Sequence, residues 1–241
     1  ALALSREGVS VAVSSSSLAR ARATAAEISG DTGNYAVGLL GDLSDPGGLS
    51  ALTESAQAKL GGEIDILFLN HGGPSLRKAL DVSQGDMHLE FARMVLSPIA
   101  VAQILVPQMI ARRWGRVLMV GSSAISQPIS NNVLSNMFRN SLAQYCKTLA
   151  DEVISYGVTV NVVSPAAILT KRTHDTAHAI AATRGVALEE ELAARKARLP
   201  SGRFGTPDEY GALITFLASD LAGYSSGANW RVDGGMVRTL S

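Results

Sequence analysis

The segment RVLMVGSSAISQPISNNVLSNMFRNSLAQYCKTLADEVISYG, residues 116–157, decides the fold. It opens with an apolar strand from Val117 to Val120 and, after a connector, continues as a helix in which apolar residues recur every three or four positions. Those apolar residues are Leu134, Phe138, Leu142, Cys146, Leu149 and Val153. An apolar strand that leads into a helix with one apolar face is typical of an α/β protein.

Three polar residues of this segment have the spacing of a catalytic site. Ser122 follows the strand, and Ser135 and Arg139 are four positions apart on one side of the helix, so the last two can reach the same small molecule. The arrangement resembles the catalytic segment of the short-chain dehydrogenase/reductase family, in which Ser is followed thirteen positions later by Tyr and four further on by Lys. Ser122, Ser135 and Arg139 stand at those positions, so they are the catalytic candidates, with Tyr and Lys both replaced.

The resemblance extends over essentially the whole chain. It includes a Pro-x-Gly-Arg-x-Gly-x-Pro turn at residues 200–207 and a last strand that ends in Val-Asp-Gly-Gly at residues 232–235. It implies an α/β fold with a doubly wound parallel sheet, Rossmann-like, in three αβα layers. We therefore expect residues 1–241 to form a single domain, in which residues 171–199 are a substrate lid.

Composition favours an ordinary globular chain. It has 241 residues, a formal net charge of zero and 46% hydrophobic residues, which predicts neither a nucleic acid nor a membrane partner. The longest apolar stretch, Met94 to Met109, contains polar residues and prolines and falls short of the ~20 apolar residues that a membrane span needs. Cys146 is the only cysteine, which excludes an internal disulfide and fits a cytoplasmic location. No metal-binding motif is present.

The first residues read as the end of a helix. This helix, ALALSREG, is expected to end at Gly8, and the next stretch, VSVAV, predicts a buried strand. We therefore expect the chain to begin inside a βαβ unit. In dinucleotide-binding folds a strand and a glycine-rich turn precede that helix. We expect this strand and turn to lie before Ala1.

The turn after the VSVAV strand indicates the preferred nucleotide. Ser15 and Ser16 stand where a doubly wound fold meets the adenosine ribose, and no acidic side chain is there to bind the 2′-hydroxyl of NAD. Arg20 and Arg22 nearby suit a 2′-phosphate, so NADP is favoured over NAD, which stays possible. The alternative is that Ser17 merely caps the next helix.

The resemblance implies further contacts to the cofactor from loops that follow other strands. Asp42 and Leu43 correspond to residues beside the adenine, although Asp42 could instead cap a turn. Two glycines of the Asn-His-Gly-Gly-Pro loop would let the backbone approach a dinucleotide, and the loop after the sixth family strand would orient the nicotinamide carboxamide. The implied cofactor-binding residues here are Asn70, Gly72, Gly73, Pro165, Ile168 and Thr170, together with Arg139.

Two other positions depart from the family. Met94 stands where the family has an Asn that holds the Lys through water. His71 replaces an Asn of the cofactor loop, and we expect it to make one hydrogen bond and stay neutral. Because a Ser alcohol ionises less readily than a Tyr phenol and reaches less far, the proton donor would be water, or His174 or Lys171 from the lid.

These features leave two functions open. The first is an NAD(P)-dependent oxidoreductase, 3-oxoacyl reductase-like, that acts on a small carbonyl or alcohol substrate through an altered site. The second is a catalytically inactive dinucleotide-binding protein that serves as a sensor or partner subunit. In either case the resemblance, and apolar residues on both faces of the central helices, predict a homotetramer or homodimer.

Overall fold

The computed structural model describes residues 1–239, and in that part of the chain all strand pairs are parallel. The strands are β1 (Val11–Ser15), β2 (Ala36–Leu40), β3 (Ile66–Leu69), β4 (Gly115–Val120), β5 (Val158–Pro165) and β6 (Asn229–Val232). They form a two-stranded sheet, β1-β2, and a four-stranded sheet, β3-β4-β5-β6. The predicted parallel α/β fold is confirmed.

Helices connect the parallel strands, as crossover connections require. They are α1 (Leu2–Arg6), α2 (Leu18–Thr32), α3 (Leu49–Leu60), α4 (Gln84–Phe91), α5 (Ser97–Arg112), α6 (Val133–Val153), α7 (Lys171–Arg184), α8 (Leu188–Lys196) and α9 (Pro207–Ala218). A π-helical turn, Ala92–Leu96, joins α4 to α5.

The central strands are covered on both faces. Successive side chains of a strand point to opposite sides, so Val117 and Met119 of β4 pack in the core with α5 and α6. Leu118, between them, packs on the other side with Ile214 and Leu217 of α9. Residues 117–119 are all fully buried. Helices on both faces of this sheet make the three αβα layers that were predicted.

The first strand is less covered in the described residues than its sequence predicts. The sequence VSVAV predicts a buried strand, and Val11, Ala12 and Val13 of β1 are half-buried. Within residues 1–239, β1 pairs with β2 alone. The strand and glycine-rich turn expected before Ala1 stay a prediction.

The helix that runs through α4 and α5 spans Gln84–Arg112, 29 continuous helical residues. An 18-residue window within it has a mean hydropathy of 1.8, so the helix passes for a membrane span by length and composition. Ala102, Leu105 and Met109 pack in the core against β3 and β4, however, and the core helix of a globular protein passes the same test. The helix is weak evidence for a membrane, and none of its buried contacts needs one.

Candidate active site

Most candidate residues lie at the carboxyl ends of the strands or in the loops that follow, where open parallel sheets bind ligands, and Ser135 and Arg139 lie on α6. Two contacts join the loops of the two sheets. Ser97 Oγ, at the start of α5, donates to the carbonyl of Leu43 after β2 at 2.6 Å. Arg93 lies near both Asp42 after β2 and His71 after β3, and its charge contributes to the lowered pKa of each. The carboxyl ends of both sheets therefore face one crevice.

Ser122 is held rigidly at the end of β4. Its backbone N–H donates to Ser164 Oγ at 3.1 Å, and Ser164 in turn donates to Asn229 Oδ1 at 2.6 Å. Its own Oγ accepts from the N–H of Ala124 at 3.1 Å. None of these contacts uses the hydroxyl proton of Ser122, which is therefore available to a ligand oxygen.

Arg139 reaches back from α6 to the end of β4. Its Nη1 donates to the carbonyls of Val120 at 2.7 Å and Gly121 at 2.9 Å, and its Nε donates to Ser135 Oγ at 3.2 Å. The residue is 8% exposed, and burial, with the charge of Arg172, lowers its pKa to about 10. Arg139 is thus a buried cation at neutral pH, and its bonded partners are neutral oxygens.

Ser135 has a different environment from Ser122. It is 4% exposed, and its Oγ accepts from the Nε of Arg139. In this arrangement Ser135 fixes the direction of the guanidinium, and its catalytic role stays a prediction. Met94, at the position of the family Asn, lies in a core cluster with Leu134 and Phe138.

His71 is buried beneath the loop after β3. Its Nδ1 lies 3.0 Å from the carbonyl of Gly72, so in the neutral ring Nδ1 carries the proton and Nε2 is an acceptor. Burial, with the charges of Arg139 and Arg93, lowers the pKa of His71 to about 4. The expectation that His71 makes one hydrogen bond and stays neutral is confirmed, while its Nε2 has no partner among the described residues.

The buried His71 predicts a specific loss of stability in acid. The unfolded chain takes up a proton near the usual pKa of ~6.5, whereas the folded chain does so only near 4, so the free energy of unfolding falls as pH drops between those values. The loss from pH 7 to pH 4.5 is on the order of 2 kcal/mol from this group. Because Asn does not titrate, the His71→Asn protein should lose less stability than the unmodified protein between pH 7 and pH 4.5, by about this amount. Denaturant titrations at the two pH values measure the difference. Equal losses in both proteins would contradict the assignment.

The glycines of the cofactor loop are contacted by two arginines. A Cβ at Gly72 would stand 3.2 Å from Nη2 of Arg93, and one at Gly73 would overlap the guanidinium of Arg172. Arg172 belongs to α7 and also donates to the carbonyl of Pro74 at 3.4 Å. A side chain from the expected lid therefore crosses the loop, and a larger residue at position 73 would require the end of Arg172 to move.

Sequence reasoning missed Arg93. The residue lies in the π-helical turn between α4 and α5, and its Nη1 pairs with the buried Glu90 at 3.1 Å. A Glu and an Arg three positions apart within a mostly apolar helix are the signal that could have identified it. π-helical turns occur frequently at functional sites.

The candidates for the adenosine end also have structural roles. Ser15 Oγ accepts from the N–H of Ser17 at 3.2 Å, whereas Ser16 is exposed. Ser17 Oγ accepts from the N–H of Arg20, so Ser17 caps α2, a role that is compatible with a nucleotide at this turn. Asp42 accepts from both the N–H and the hydroxyl of Ser44 at 2.9 and 2.7 Å, which is the turn-capping geometry.

The candidates for the nicotinamide end lie around the same crevice. Asn70 is exposed directly after β3. Pro165 is the last residue of β5, and the Ile168 carbonyl accepts from the hydroxyl of Thr173 at 2.7 Å. Thr170 caps α7 by accepting from the N–H of Thr173. The loop after β5 is thereby fixed to the start of the expected lid.

Comparisons with known proteins agree with this geometry. A family model described as enoyl-(acyl carrier protein) reductase matches residues 1–237. The chain is 30% identical to the 3-oxoacyl-[acyl-carrier-protein] reductase FabG of Salmonella typhimurium, over 88% of this chain and 82% of that protein. It is also 30% identical to D-threitol dehydrogenase of Mycolicibacterium smegmatis, over 98% and 86% of the two chains.

Solved structures give the same result. L-Sorbose reductase from Gluconobacter frateurii, crystallised with NADPH and L-sorbose, superposes with a TM-score of 0.93 and is 28% identical. The superposition covers 99% of this chain and 91% of that one.

Proposed function

The chain belongs to the short-chain dehydrogenase/reductase family, and on that basis we propose that it is an NADP-dependent oxidoreductase that interconverts a carbonyl compound and its alcohol. The observation that carries the proposal is the pair of groups at the end of β4. Ser122, with an unused hydroxyl proton, and Arg139, a buried cation, occupy positions that bind substrate and cofactor in the family. Relatives that are reductases and dehydrogenases support the reaction class.

The residues around the crevice fit a dinucleotide. Arg139 would hold ribose hydroxyls, because a buried guanidinium bonded only to neutral oxygens has charge and donors to offer. Asn70, Gly72 and Gly73 would line the path of the cofactor, and the loop after β5 would hold its carboxamide end through Pro165, Ile168 and Thr170. When bound, NADPH supplies the hydride.

The adenosine end would be held by the smaller sheet. Asp42 and Leu43 would lie beside the adenine, with Ser15 and Ser16 at the ribose. Both serines lie at the carboxyl end of β1, next to the β2 end that carries Asp42, since the Gly41 N–H donates to the Ser15 carbonyl at 2.9 Å.

Ser122 would polarise the substrate. Its hydroxyl donates to the carbonyl oxygen and stabilises the negative charge that develops there during reduction. Ser135 would act as a positioning residue that orients Arg139. The proton that completes the alcohol would come from water, or from His174 or Lys171 of the lid, because Ser135 already binds Arg139.

Helices α7 and α8 would form the lid over the substrate. Glu191 of α8 is 5% exposed and pairs with Arg195 at 2.8 Å and with Arg184 of α7 at 2.5 Å. The pair with Arg184 ties the two helices together, so they would move as one unit, while the pair with Arg195 lies within α8. Arg172 at the start of α7 connects that unit to the cofactor loop.

The nucleotide preference provides a direct test. Calorimetric titration should give an affinity for NADPH at least about tenfold above that for NADH, a difference of ~1.4 kcal/mol. Arg22→Gln should reduce this ratio, whereas Arg198→Gln, an exposed lid residue outside the site, should not. Tighter binding of NADH would show that the serine turn had been misinterpreted.

The replaced Tyr and Lys keep the inactive alternative open. Ser135 and Arg139 supply no phenol and no ammonium, so a protein that binds NADPH and only senses it is the second candidate. NADPH binding together with an absence of hydride transfer to any carbonyl compound would favour this alternative.

We further propose a homodimer or homotetramer. Large apolar side chains on α4, on the π-helical turn and on α6 are exposed, among them Leu89, Leu96 and Met137. Burial of such a shared face in a second copy, with two-fold symmetry, is the usual outcome. Light scattering should give at least twice the monomer mass at micromolar concentration, and a monomer would contradict this. The cytoplasmic location stays a prediction.

A further inference from the structure

We infer that the substrate carries a carboxylate near its reacting carbonyl, and that Arg172 and Arg93 bind this carboxylate above the cofactor loop. Only one part of the inference, the reacting carbonyl, rests on the proposed function. It concerns the class of compound that the crevice selects, namely oxo acids in reduction and hydroxy acids in oxidation.

Three arginines converge on the loop at residues 70–74. Arg93 faces Gly72, Arg172 lies on Gly73, and Arg139 is close enough to His71 to lower its pKa. Each arrives from a different helix: α6 supplies Arg139, α7 supplies Arg172, and the π-helical turn supplies Arg93. The fold brings the three arginines together, since they do not belong to one basic stretch of sequence.

Negative charge does not balance this group. Arg93 pairs with Glu90, but Arg139 and Arg172 form no ion pair within residues 1–239. The chain as a whole has 21 basic and 21 acidic residues, so the excess is local. Asp42 is close enough for a charge interaction with Arg93, yet its carboxylate is exposed and already accepts a hydrogen bond from the hydroxyl of Ser44.

The positive charge of Arg139 is costly where it lies, whereas Arg172 is exposed to solvent. Arg139 is buried, and a like charge on Arg172 faces it, so both burial and repulsion disfavour its charged form. Buried charges in folded proteins are normally paired. A ligand with negative charge at this position would supply the missing partner, and a guanidinium binds a carboxylate through two parallel hydrogen bonds.

The same loop holds an unsatisfied acceptor. His71 is 5% exposed, and its Nε2 has no hydrogen-bond partner among the described residues. Unpartnered buried polar atoms are uncommon in folded proteins and call for an explanation. A ligand that orders this loop would supply a donor, such as its hydroxyl or a water that it holds.

The carboxylate and the reacting carbonyl would belong to one small molecule. Arg139 donates a hydrogen bond to the carbonyl of Gly121, the residue directly before Ser122. Burial and the charge of Arg172 together lower the pKa of Arg139. The cation group and the Ser122 hydroxyl are therefore neighbours in one crevice. In reduction, hydride and a proton add across the C=O of the oxo acid, which gives the hydroxy acid and NADP⁺, with the carboxylate unchanged.

Paired substrates test the inference. In the presence of NADPH, 2-oxobutanoate and 3-oxobutanoate should have kcat/KM values at least about tenfold above those of their amides, since one charge-assisted pair is worth roughly that factor. Arg172→Gln should remove most of this preference, and Arg172→Lys should keep part of it. Arg198→Gln, in the same lid, is the matched control and should keep all of it.

Binding without turnover separates this inference from the proposed function. Oxamate, a carboxylate that is not reduced, should bind the NADP⁺-loaded protein in calorimetry, and ethyl oxamate should bind at least about tenfold more weakly. If oxamate binds through Arg172 but no carbonyl is reduced, the proposed function fails and the carboxylate site at Arg172 and Arg93 stands. If neutral carbonyls are reduced while oxamate does not bind, the inference is overturned and the proposed function stands.

The phosphates of the cofactor are the rival partner for these arginines. Under our inference, Arg172→Gln changes the NADPH dissociation constant less than about twofold while it weakens oxamate binding about tenfold. If the variant instead weakens NADPH binding as much as oxamate binding, Arg172 holds the cofactor and the substrate carboxylate is not required.

Discussion

Arg139→Ala is expected to weaken NADPH binding by about 10- to 100-fold, the scale of one hydrogen bond to a charged group, and to reduce turnover at least as much. The guanidinium is buried and bonds the carbonyls of Val120 and Gly121, so it stands at the end of β4 where the ribose would lie. Its removal takes away both the positive charge and the donors offered to the ribose. Titration calorimetry and steady-state kinetics measure the two effects.

Two controls keep this result interpretable. Arg139→Lys restores a cation of the family type, so it should recover part of the affinity that Arg139→Ala loses. The alanine variant also leaves two carbonyls without their donor, which costs ~1–3 kcal/mol, so circular dichroism must confirm that it is folded. A folded Arg139→Ala protein with unchanged nucleotide affinity would show that the family Lys position does not carry over to Arg139.

The second large effect should separate the two serines. Ser122→Ala should lower kcat about 10²-fold or more, the scale of losing one donor to a developing oxyanion. Ser135→Ala should cost far less, because the Ser135 hydroxyl is buried and accepts from Arg139. Ser122→Thr keeps a hydroxyl at the same position and should retain most of the activity that Ser122→Ala loses.

The opposite pattern would be equally clear. If Ser135 had taken over the acid role of the family Tyr, Ser135→Ala would abolish turnover and Ser135→Tyr would raise it. That outcome would require the Ser135 side chain to leave Arg139 and turn to the substrate.

Local sequence signals predicted the elements that they control directly. The apolar run of β4 and the three-to-four spacing in α6 placed Ser122, Ser135 and Arg139 correctly on strand end and helix, since periodicity fixes which side chains share a face. Ser17 as a helix cap followed from the same local rules. These features depend on neighbours along the chain.

Features that depend on distant partners were not predictable. The approach of Arg172 to Gly73 joins positions 99 residues apart, and Arg93 reaches the loop from a π-helical turn. Only the tertiary arrangement shows that these arginines share a crevice with Arg139.

Transfer of an isotopic label tests the central claim most directly. NADPH that carries deuterium at both C4 positions is incubated with the protein and a panel of oxo acids, ketones and their amides, and the products are examined by mass spectrometry. We predict an alcohol with one deuterium on the former carbonyl carbon, formed about 10²-fold more slowly or not at all by Ser122→Ala. Tight NADPH binding with no deuterium in any product would contradict the account and leave the chain a dinucleotide-binding protein without redox activity.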